Sequence, residues 1–134
     1  MHRNHQVKQN HLLTIFFLLS IFLATLHLAD DIVRGMSPGG LLNLIAVVIC
    51  VVWLYGALIL TERRSGYIII LVASLLVMGI PAVHLKGLGV GFGTHRSNGL
   101  FFVWTLLAVG VVSFFSVILS IRALWNLRRG RPKT

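Results

Sequence analysis

Residues 12–31 read Leu-Leu-Thr-Ile-Phe-Phe-Leu-Leu-Ser-Ile-Phe-Leu-Ala-Thr-Leu-His-Leu-Ala-Asp-Asp. The run from Leu12 to Ala29 carries no acidic or basic residue except His27. An apolar run of about 18 residues or more is long enough to cross a bilayer as a helix. A helix is read rather than a strand, because a lone run of this length satisfies its backbone bonds internally. The alternation of a barrel strand is also absent.

Three more runs of the same kind follow: Leu41 to Leu60, Tyr67 to Leu85 with Pro81 inside it, and Gly99 to Ile121. Within the four runs, His27 and His84 are the only residues of histidine or charged type. The expected fold is therefore all-α: an integral membrane four-helix up-down bundle with short loops. It forms one four-span domain over residues 1–134, with a basic tail at 122–134. The first run is read as an uncleaved span. It exceeds the usual signal-peptide core, and cleavage after Ala29 would place His27 where a small residue is needed.

Composition agrees. The chain has 134 residues, 57% hydrophobic and only 11% charged, against about 25% charged in a soluble domain. So few charges cannot cover a water-facing surface, which excludes a soluble monomer. The same hydrophobicity excludes disorder. Most of the formal net charge of +9 is topology signal. Arg3, Lys8, Arg63, Arg64, Arg122, Arg128, Arg129, Arg131 and Lys133 fall on one side of the four spans; Arg34, Lys86 and Arg96 fall on the other. The positive-inside rule puts both termini in the cytoplasm, with a bacterial inner (cytoplasmic) membrane as the expected location. Arg128, Arg129, Arg131 and Lys133 are expected to contact anionic lipid headgroups at about 1 kcal/mol per residue. The tail is short and has no binding-domain pattern, so nucleic acid is not expected as a partner.

Local signals mark the boundaries. Gly35 suits the end of helix 1. Ser37-Pro38 suits the start of helix 2, and Ser97 or Asn98 can cap helix 4. Ser65-Gly66 reads as the turn before helix 3. Helix 4 is expected to run past Arg122 and Trp125 to about Gly130. The polar segment bearing His2, His5 and His11 is expected to be a disordered tail, and Glu62 to pair in solvent with Arg63 and Arg64.

Chemistry concentrates at the non-cytoplasmic rim, where two of the three acidic residues, Asp30 and Asp31, close helix 1. Ser20, Ala24, His27 and Asp31 form one stripe, the most polar face of an apolar helix, so that face is expected to meet protein. A carboxylate four residues after a histidine shares its face and can fix its tautomer. Asp30 and Asp31 also have the spacing for ion pairs with Arg34. His84 follows Pro81 by one turn, and His95 precedes helix 4. Together His27, Asp31, His84 and His95 are the candidate rim ligand or proton site. Haem would need His27 and His84 on opposite sides of one iron. Zn²⁺ or Cu²⁺ would find suitable ligand types in the four residues. Neither has a supporting motif, and no cofactor is required.

Gly87, Gly89, Gly91 and Gly93 alternate with Leu88, Val90 and Phe92, which suits an extended connector or a lid over the rim. The segment matches no nucleotide-binding pattern. Arg96 is the candidate anion contact. Pro81 is expected to kink helix 3, and Gly79 to permit close helix contact. Asn43, Ala46, Cys50, Trp53 and Ala57 on helix 2, and Gly110, Ser113, Ser116 and Ser120 on helix 4, are packing stripes. Cys50 is the only cysteine, so thiol–disulfide exchange is excluded. Two function classes remain. One is a non-catalytic accessory or partner-binding membrane subunit, with a membrane-protein partner or a second copy of the chain. The other is the metal, proton or small-ligand site at the rim, serving membrane redox, transport or an enzyme. No motif lifts the second above a constellation, so sequence alone favours the first.

Overall fold

Helix runs further along this chain than apolarity alone requires. The computed structural model of the chain describes residues 2–33, 35, 40–60, 62–91 and 99–129; for 2–6, 42, 83–91, 99 and 100 this covers the backbone only. Four helices account for nearly all of it: α1 (His2–Val33), α2 (Leu41–Leu58), α3 (Arg64–Gly91) and α4 (Gly99–Arg129). Among the described residues there is no strand. Three segments are long and apolar enough to cross a membrane: Val7–Val33, Arg64–Ala82 and Phe101–Arg129. In α2 the corresponding segment, Asn43–Leu58, is shorter.

Two segments expected to be irregular are helical. The polar N-terminal segment, including His2, His5 and His11, belongs to α1. Its amides hold it there. Gln9 Nε2 donates to the Leu119 carbonyl at 3.4 Å, and Asn10 Nδ2 donates to Glu62 Oε1 at 3.1 Å. Glu62 thus turns to Asn10, where the sequence suggested Arg63 and Arg64. The glycine alternation likewise begins inside α3, which continues through Pro81 to Gly91; residues 92–98 lie outside the described set. Glycine weakens a helix by only about 1 kcal/mol per residue relative to alanine, so alternation by itself does not enforce an extended chain.

The ends are set by backbone geometry. Gly35 adopts φ +69° and its N–H donates to the Ile32 carbonyl, closing α1 as expected. The N-cap of α2 is Gly40, with no side-chain capping bond; Ser37, Pro38, Ser97 and Asn98 are outside the described residues. Ser65 and Gly66 sit inside the first turn of α3, and the chain reverses before them, with Glu62 left-handed at φ 66°.

Contacts fix the up-down order. Gln9 of α1 accepts from Asn126 near the end of α4 at 3.3 Å, while His27 meets Thr105 near its start. These two helices are therefore antiparallel. Tyr67, early in α3, donates to Asn10, early in α1, at 2.9 Å, so α1 and α3 are parallel. The α3–α4 and α1–α4 pairings are the most extensive, and α1, α3 and α4 make the core. One cluster gathers Leu13, Phe17 and Ile21 with Ala57, Tyr67 and Ala73; a second joins Leu23, Val77 and Val109 nearer the other end.

The expected stripes face protein. On α2, between Asn43 and Leu58, only Asn43, Ala46, Cys50, Trp53, Gly56 and Ala57 escape full exposure. Close approach uses Gly56 and Gly110 rather than Gly79. A Cβ on Gly56 would lie 2.6 Å from Ile69, and one on Gly110 3.1 Å from the Pro81 ring, whereas Gly79 faces open space. Pro81 thus seats its ring on Gly110 inside an α3 that continues past it.

Ser20, Ser74, Ser113, Ser116 and Ser120 are all fully buried. Ser20, Ser116 and Ser120 each donate to the carbonyl four residues back. Ser74 and Ser113 have no hydrogen-bond partner among the described residues. A buried hydroxyl without a partner carries a desolvation cost of about 1–3 kcal/mol. Ser74→Ala and Ser113→Ala are therefore expected to be neutral or stabilising by about 1 kcal/mol in detergent unfolding, and Ser116→Ala is not. Destabilisation by both alanines would show that these hydroxyls hold something.

Candidate functional site at the His27 rim

The stripe on α1 is turned as its composition requires. Ser20 and His27 are buried, and Ala24 and Asp31 are partly covered. His27 is only 3% exposed, so the ring lies inside the bundle rather than among headgroups. It tilts against Phe102 of α4, with centroids 4.9 Å apart and planes at 39°.

Two oxygens flank the ring. Nδ1 lies 3.3 Å from Thr105 Oγ1 and Nε2 lies 3.9 Å from Asp31 Oδ2. Thr105 is fully buried and donates its single proton to the Phe102 carbonyl at 3.0 Å. Its oxygen is then left to accept from His27. Both ring nitrogens therefore face acceptors. A neutral imidazole with its N–H on Nδ1 serves Thr105; only the doubly protonated ring also turns a proton toward Asp31, which at 3.9 Å is an ion-pair rather than a hydrogen-bond distance.

Of the four rim residues expected from sequence, the structure brings His27 and Asp31 together. For His84 it describes only the α3 backbone; His95 and Arg96 lie outside the described residues, as do Arg131 and Lys133. Among the described residues no group of three or more His, Cys, Asp or Glu could hold a metal ion, so His27 and Asp31 make at most a partial ligand set. Thr105 and Phe102 were missed. The signal was present: the small-polar stripe on α4, carried back two turns from Ser113, reaches Thr105.

A second polar centre lies at the opposite end. Asn10 links the Tyr67 hydroxyl to the Glu62 carboxylate, and Asn126 links to Gln9. These side chains line a cavity of about 300 Å³ with Ala123 and Leu127. Each bond joins separate elements, so the network reads as the clasp holding the N-terminal part of α1 to α4 and to the α2–α3 turn. Tyr67 is buried and donates into this clasp.

No protein-family model, no curated protein and no solved structure matches the chain. Function must therefore be argued from the site itself.

Proposed function

We propose that this is a multi-pass integral membrane protein with both termini in the cytoplasm, as in a bacterial inner membrane. In it, His27, Asp31 and Thr105 form a proton-binding site at the non-cytoplasmic rim. The membrane setting is supported by three apolar helices of spanning length and by two exposed tryptophans on α4. Trp104 and Trp125 are each more than half exposed. They stand 21 residues apart, about 31 Å along a helix, which matches a hydrocarbon core of about 30 Å. Tryptophans favour the two interfaces. The orientation rests on the nine-to-three division of basic residues between the two sides of the spans in the sequence.

The observation that carries the site is the buried His27 ring held between Asp31 and Thr105. An ionisable group inside a span costs free energy and marks function by default. Here a proton arriving at Nε2 converts an acceptor facing a carboxylate into a donor, and the pair becomes a neutralised ion pair. Binding a proton needs no covalent chemistry. The site thus suits the accessory or partner-binding subunit expected from sequence, giving such a subunit something to respond to.

The test is ¹⁵N-imidazole spectroscopy of the full chain in lipid nanodiscs, with His27 assigned through His27→Gln. The expected result is reversible exchange of His27 between singly and doubly protonated forms, with Asp31→Asn shifting the balance and Thr105→Val changing the neutral tautomer. A ring that stays in one neutral tautomer at every pH where the protein is folded would overturn the reading.

A further inference from the structure

Arg64 opens α3 and Arg128 lies in the last turn of α4, and both line one groove of about 340 Å³. The walls between them are apolar: Ile68 and Leu71 from α3, Ile121 and Leu124 from α4. Trp125 also lines the groove, and the Arg129 guanidinium lies 5.2 Å from its ring centroid.

We infer that this groove is a binding site for one anionic phospholipid of the leaflet facing the helix ends. Its phosphate would sit between Arg64 and Arg128, and a stretch of one acyl chain would lie along Ile68, Leu71, Ile121 and Leu124. Charge complementarity and groove chemistry together select this occupant. A soluble anion would leave the apolar walls uncovered. A purely apolar molecule would bring no counter-charge to the two guanidiniums. Guanidinium is the side chain best matched to phosphate, through parallel N–H bonds in a planar fork. The site differs from diffuse attraction by the C-terminal tail, because it joins residues from two helices around a shaped groove. It shares only the membrane setting with the rim proton site, so the two can fail separately.

The test uses the full-length chain in phosphatidylcholine vesicles containing a few mole per cent of phosphatidylglycerol. Trp53→Phe and Trp104→Phe leave Trp125 as the sole tryptophan, and acyl chains of one lipid at a time carry bromine as a quencher. Brominated phosphatidylglycerol is expected to quench Trp125 more strongly than brominated phosphatidylcholine at equal mole fraction. Arg64→Gln and Arg128→Gln should each lower that preference about five-fold, matching the ~1 kcal/mol per basic residue expected at a charged leaflet. Leu71→Phe, which fills the groove, should weaken it with both arginines in place. Arg131→Gln with Lys133→Gln should leave most of it. Raising salt on the chain with both arginines intact gives a readout free of those changes and should reduce the preference. Equal quenching by the two lipids would overturn the proposal. So would a preference that survives loss of Arg64 and Arg128 and vanishes with the tail charges.

Discussion

Gly66→Ala is expected to destabilise the folded bundle by about 3 kcal/mol. A Cβ at this position collides with the Leu60 carbonyl oxygen, and lies 2.9 Å from the carbonyl carbon of Leu60 and 3.1 Å from the Gly56 oxygen. All three are backbone atoms of the preceding helix end and turn, so no rotamer change relieves the clash. The turn itself must open. That turn carries the left-handed Glu62, whose carboxylate receives Asn10, so the clasp on α1 should loosen with it. Gly79→Ala is the matched control. It also lies in α3, but a methyl there meets open space, and helix propensity favours alanine by about 1 kcal/mol. Unfolding of both variants in mixed micelles checks the contrast. Equal stabilities would mean that the α2–α3 turn is not packed as described.

Phe17→Ala is expected to cost about 3 kcal/mol or more. Phe17 is fully buried at the centre of the cluster that joins α1 to α3, α4 and Ala57 of α2. Between membrane helices association rests on close packing rather than on escape from water, so the loss comes from the cavity left behind. Phe22, five residues on and 58% exposed, provides the comparison. Phe22→Ala removes the same atoms from a lipid-facing position and should cost well under 1 kcal/mol, as surface changes do. The same unfolding assay reads both, and a Phe22 effect as large as that of Phe17 would invert the assigned faces of α1.

Much of this architecture was legible because each apolar run is bounded by charge or glycine. The stripe through Asn43, Ala46, Cys50, Trp53 and Ala57 named the protected face of α2, and Ser20, Ala24, His27 and Asp31 named the inward face of α1. What escaped the sequence was contact between elements. The helicity of His2 to His11 depends on where Gln9 and Asn10 find partners, and those partners, Leu119 and Glu62, are 110 and 52 residues away. Glu62 beside two arginines read as an ion pair because neighbours in sequence are visible and Asn10 was not. Gly79 and Gly110 look alike in sequence, yet only Gly110 has a proline ring against it. Half of the rim was legible for the same reason. His27 and Asp31 share one helix face, whereas Thr105 reaches the ring only through the antiparallel pairing of α1 with α4.

If the proposed rim site works as a proton-binding site, His27 exchanges protons with one side of the membrane, the side opposite the termini. Trp104 is the residue next to Thr105 and is well exposed, which makes its fluorescence a local reporter. The decisive measurement is a rapid pH jump applied to either face of oriented proteoliposomes, with Trp53 and Trp125 replaced by phenylalanine. A prompt Trp104 response is expected to a jump on the face opposite the termini, none to the other face, with loss of the response in His27→Gln and a response displaced in pH in Asp31→Asn. A response driven from the side of the termini, or one that persists without His27, would contradict it.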